Sequence, residues 1–142
     1  ALGFPAVFDI AVPAMRSAIG RGLSRERAQL DTLFHLMATL DDSNLAHRGG
    51  LDGLRFAQRA AREFIDHGGA AATDAATRAE AIAIDFEARR LSPGGSADML
   101  AAVCWMRRIG AIEAVEVIER VDPSALPDDR AAVGRLALLA LP

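Results

Sequence analysis

Apolar side chains recur three and four residues apart along most of this chain, which is the spacing of a helix with one buried face. The two-residue period of a strand never persists for more than a few positions. Pro5 and Pro13 bracket a short apolar stretch, and Pro13 predicts the start, or a kink, of a helix running to Gly20. Ser24 predicts the N-cap of a second helix with Leu30, Leu33, Phe34, Met37 and Leu40 on its apolar face. A third is expected after Gly50, with Leu51, Leu54, Ala57, Ala61, Phe64 and Ile65 inward, stopping at Gly68-Gly69. Thr73 predicts the cap of a fourth, with Ala79, Ile82, Ala83 and Phe86 on one face, ending near Arg90. Ser96 predicts the cap of a fifth over 97–108, closed by Gly110. A sixth is expected from Ala111 to Val121, broken by Asp122-Pro123, and Pro127-Asp128-Asp129 opens the last. The expected fold is all-α, about seven helices in one compact domain over 1–142.

Composition narrows the partners. Hydrophobic residues make up 51% of the chain and aromatics only 5%, so close helix contacts through alanine are favoured over a core of large rings. No apolar run reaches membrane-spanning length, and Leu136–Leu141 is too short to cross a bilayer. The start carries no leader pattern, and its lack of an initiator methionine reads as a piece of a longer or processed protein. Net charge is −3, from 16 basic and 19 acidic residues, which argues against nucleic acid as the main partner. Every basic residue is arginine, the side chain best suited to pair with phosphate. The lone Cys104 excludes an internal disulfide and fits a reducing, cytoplasmic setting; it reads as core filler.

Two loops interrupt the helical pattern with chemistry. In Asp42-Ser43-Asn44, a carboxylate and an amide oxygen stand two residues apart, a pairing that suits a hard cation such as Mg²⁺ or, equally, a helix cap. Arg48 then reaches a phosphate oxygen, while Gly49 and Gly50 let backbone close in. In Ser92-Pro93-Gly94-Gly95-Ser96, two glycines precede a helix start whose N–H groups and dipole favour an anion. The plainer reading is a capped loop with Ser96 as N-cap. Asp98 is a weaker cation ligand or a second cap. His47 is the candidate acid or base; His35 and His67 read as structural, and Trp105 as core. No metal-binding Cys/His spacing, nucleophile elbow or phosphate-loop lysine is present.

Taken in order, Gly3-Phe4-Pro5, Pro13, Asp42-Ser43-Asn44 with Arg48-Gly49-Gly50, and the run from Ser92 to Ala101 resemble the triphosphoribosyl-dephospho-CoA synthase family. The likeness covers Ala1 to about Arg108 and only the C-terminal half of the family's pattern; 111–142 carries nothing diagnostic. Ser43 stands where the family more usually has threonine. The resemblance implies attack of the 2′-hydroxyl of 3′-dephospho-CoA on C1′ of ATP, with release of adenine. The product serves the acyl carrier proteins of citrate lyase or malonate decarboxylase. It implies Mg²⁺ on Asp42 and Asn44, and phosphate held by Arg48, Gly49, Gly50, Ser92, Gly94, Gly95 and Ser96. The expected partners are ATP, 3′-dephospho-CoA, the missing N-terminal half or another chain, and a second copy; the piece alone is expected to be inactive.

Two rivals stand beside this. One is an all-α, Mg²⁺-dependent hydrolase of ADP-ribose-like substrates, using the same ligands with water as nucleophile. The other is a non-catalytic helical interaction module built on the alanine-rich faces.

Overall fold

A computed structural model describes residues 3–110, all helix and short links. The elements are α1 (Gly3–Ala6), a π-helical turn (Val7–Ala11), α2 (Val12–Gly20), α3 (Arg25–Thr39), α4 (Ser43–Asp66), a 3₁₀ turn (Gly69–Ala71), α5 (Ala75–Ala88) and α6 (Gly94–Arg108). The first three run on without a break, so the described residues form five helical segments. The two expected helices beyond Gly110 lie outside the described residues. The chain divides into two compact units, Ala1–Val103 and Cys104–Pro142. Every candidate site residue named above belongs to the first.

Pro13 lacks a backbone N–H, and the helix widens by one residue just before it, where the Val12 N–H bonds to the Val7 carbonyl. Helix α3 starts as expected, with Ser24 Oγ accepting from the Arg27 N–H at 3.3 Å. It buries Ala28, Asp31, Thr32, Phe34, Leu36 and Met37, more than one stripe, because it packs against the first segment on one side and α4 on the other. The α3–α4 contact centres on Phe34 and Phe64, whose rings stack at 3.8 Å. Leu45, Leu54, Ala57 and Ala61 continue that core along α4, and Phe86 and Leu91 close it from α5 and the link after it.

Several boundaries differ from the sequence pattern. The Asp42–Gly50 stretch is not an open loop: Asp42 caps α4, and Ser43 to Gly49 form its first turns. The helix breaks only at Gly50, whose φ of 65° and ψ of −168° are left-handed and extended. That break takes Leu51 out of the buried register, and it stands 59% exposed. Helix α5 begins after Asp74, not Thr73, without a side-chain cap, and Ala83 faces solvent. Helix α6 begins at Gly94, so Ser96 lies inside its first turn and is not its N-cap. Trp105, expected in the core, is 47% exposed, and Cys104 is half-buried. No helix among the described residues is long and apolar enough to cross a membrane.

Candidate functional site

The two glycine-bearing segments meet, and Asp42 joins them. Its carboxylate is 3% exposed. Oδ1 accepts from the Asn44 N–H at 2.9 Å and the Leu45 N–H at 3.3 Å, capping α4. Oδ2 accepts from the Ser96 N–H at 2.8 Å and from Ser96 Oγ at 3.1 Å, 54 residues further along. One negative charge therefore sits at the positive ends of two helices, α4 and α6. Ser96 is fully buried, so its hydroxyl has no water to turn to; the carboxylate satisfies it.

The route from α5 into this junction is set by Leu91. Arg90 takes a left-handed φ of 53°, and the Leu91 N–H reaches back to the Phe86 carbonyl at 2.9 Å. Leu91 then buries against the bare backbone of Gly49 and Gly53 on α4. Gly49 is thereby covered by a side chain, which explains its small size by packing. Ser92 and Pro93 follow, half-buried, and α6 starts directly over the first turn of α4.

That approach needs glycine. A Cβ on Gly94 would lie 2.6 Å from Asn44 Nδ2, and one on Gly95 would lie 3.0 Å from Asp42 Oδ1. The Gly94 and Gly95 amides have no acceptor among the described residues, whereas the Ser96 amide is taken. Two free N–H groups at the start of a fifteen-residue helix make a donor pair for an anion. Asn44, His47 and Arg48, all exposed, stand at positions i, i+3 and i+4 of α4 and share one side of its first turns. Arg48 has no ion pair among the described residues, so its guanidinium is available. Gly50 is open on all sides, and Asp98 is exposed on α6.

A divalent cation needs carboxylate lone pairs turned toward it. Both Asp42 oxygens face N–H and O–H donors instead, four in all, which fills their acceptor capacity. No group of three or more His, Cys, Asp or Glu side chains is placed to hold a metal ion among the described residues. The donor set around Asp42 and Asn44 does not fit a metal as it stands. Sequence spacing put Asp42 beside Asn44, but the Ser96 partner carries no local signal. A buried carboxylate reaching across 54 residues is visible only once the helices are packed.

Comparison with known proteins bears on this junction. The family model for ATP:dephospho-CoA triphosphoribosyl transferase matches residues 1–116. A protein of Stutzerimonas stutzeri named "Probable 2-(5''-triphosphoribosyl)-3'-dephosphocoenzyme-A synthase" is 36% identical over 107 residues, 75% of this chain and 37% of the relative. Proteins of the same name from Pseudomonas savastanoi pv. phaseolicola and Photobacterium profundum are each 39% identical, over 73% and 75% of this chain. These cover 36% and 33% of the relatives, so the chain spans about a third of the length of the curated proteins it matches. No solved structure matches.

Proposed function

Because the chain belongs to the ATP:dephospho-CoA triphosphoribosyl transferase family, we propose that the α4–α6 junction is the wall of such a transferase that holds the triphosphate of ATP. The whole protein would join the 2′-oxygen of 3′-dephospho-CoA to C1′ of the ATP ribose. The C1′–N9 bond breaks, adenine leaves with its bonding pair and takes up a proton, and the hydroxyl gives up its own. The triphosphate stays on the transferred sugar. The product is a prosthetic-group precursor for an acyl carrier protein such as that of malonate decarboxylase or citrate lyase.

The single observation that supports this reading is the pair of amides on Gly94 and Gly95, set against Arg48 on the neighbouring helix start, all without a partner among the described residues. Donors fixed in place before substrate arrives lower the barrier by sparing their reorganisation. Asp42 acts here as the fastener that holds the two helix starts in register, and Asn44 and Arg48 face the phosphates from α4. Ser92 and Ser96 shape the turn between them. Magnesium, in this reading, arrives on the triphosphate as part of the substrate. His47 is the group at the junction able to exchange a proton.

The test is Arg48→Ala in the whole enzyme that contains this chain, assayed by adenine release with 3′-dephospho-CoA present. The KM for ATP should rise about tenfold, the value of one lost charge-assisted hydrogen bond. A KM that stays unchanged refutes the assignment.

A further inference from the structure

A polar cavity lies away from the α4–α6 junction, between the end of α2, the middle of α3 and the link after α4. It measures about 320 Å³ and is lined by Ser17, Arg21, Asp31, His35, Ile65 and Gly68-Gly69. At its base is Asp31, 1% exposed on the buried side of α3. Asp31 Oδ1 accepts from the Ala70 N–H at 2.9 Å, and Oδ2 accepts from Arg21 Nη2 at 2.8 Å. His35 Nδ1 lies 3.7 Å from the same Oδ2 and donates to the Asp31 main-chain carbonyl at 2.8 Å. Asp31 thus holds Arg21 through its carboxylate and His35 through its main-chain carbonyl.

Neither basic group is exhausted. Arg21 uses Nε on the Ser17 carbonyl at 3.3 Å and one Nη2 N–H on Asp31. Three of a guanidinium's five N–H groups remain, and no acceptor among the described residues takes them. With Nδ1–H donating to that carbonyl, the neutral His35 ring presents Nε2 as an acceptor, without a partner among the described residues and able to accept from a P–OH group. Both side chains are partly open to solvent, at 46% and 37% exposure, so a ligand can reach them. Ser17, which also lines the cavity, carries a hydroxyl able to donate. A guanidinium fork, an imidazole acceptor and a hydroxyl lining one cavity suit a protonated phosphate, which offers acceptor oxygens to the fork and a P–OH to the imidazole, whereas a carboxylate offers acceptors alone.

We propose that this cavity is a phosphoryl-binding site, in which Arg21, His35 and Ser17 grip a phosphate group and buried Asp31 positions Arg21 through its carboxylate and His35 through its main-chain carbonyl. The inference does not rest on the transferase reading, since it uses none of the junction residues.

The test is titration of the ¹⁵N-labelled 142-residue chain with inorganic phosphate, following the imidazole nitrogens by NMR, with acetate at equal ionic strength as comparator. The chain has three histidines, and His67, which does not line the cavity, serves as the internal control, since His47 stands at the junction already assigned to phosphate. The His35 Nε2 signal should move saturably with phosphate while that of His67 stays. Arg21→Lys, which keeps a cation on Asp31 but loses the fork, should weaken binding about tenfold, and Ser17→Ala about threefold. Four results would each overturn the proposal. They are no movement at His35, equal movement of His35 and His67, an equal response to acetate, or wild-type affinity in both variants.

Discussion

Asp42 and Ser96 are bonded twice, through the Ser96 N–H at 2.8 Å and its hydroxyl at 3.1 Å, while the other Asp42 oxygen caps α4. A side chain that serves two helix starts at once is a structural hinge point for everything near it. Asp42→Ala removes the cap and leaves a buried hydroxyl and amide without acceptors. Stability in urea denaturation should fall by about 3 kcal/mol or more. Asp42→Asn keeps the α4 cap but turns an NH₂ donor toward the Ser96 N–H, leaving the Ser96 hydroxyl to accept from it, and should lose about 1–3 kcal/mol, less than Asp42→Ala. Equal losses for both would contradict a hydrogen-bonding role.

Ser96→Ala isolates the hydroxyl. The main-chain bond to Asp42 survives, so the expected cost is about 1–1.5 kcal/mol, read from the denaturation midpoint at unchanged slope. No change in midpoint would mean the Oγ contact contributes nothing.

Gly95→Ala places a Cβ 3.0–3.2 Å from all three carboxylate atoms of Asp42. The helix start must lift or the carboxylate must turn, and either costs about 1–3 kcal/mol. The amide of residue 42 or 96 should also exchange faster with solvent. Wild-type stability together with wild-type exchange would refute the close approach of Gly95 to Asp42.

Arg48→Ala separates binding from folding. The side chain is exposed and unpaired among the described residues, so stability should stay within about 0.5 kcal/mol of wild type. Only the ATP-dependent readout should respond. A large loss of stability would place Arg48 in the scaffold.

Phe64→Ala removes one ring of the stacked pair that joins α3 to α4. Both rings are buried, and truncation should cost about 3–5 kcal/mol in thermal or urea unfolding. A loss below about 1 kcal/mol would mean the α3–α4 contact is carried elsewhere.

Local signals did settle much of the molecule. The three-and-four spacing of Leu54, Ala57, Ala61 and Phe64 determines a helix with one buried face, and Ser24 ahead of an apolar run determines where α3 begins. Both depend on residues a turn or so apart, which sequence places side by side. Family membership was legible for a similar reason, because the order of the Asp42 and Ser92 segments is a linear property. What only packing decided is long-range. Asp31 falls on the buried side of α3, a position that demands a partner, yet nothing nearby in sequence names Arg21 and the Ala70 amide. Asp42 reads equally well as a cation ligand or a cap until Ser96 is brought to it. A buried carboxylate takes whatever donors the fold delivers, and those arrive from 10 to 54 residues away.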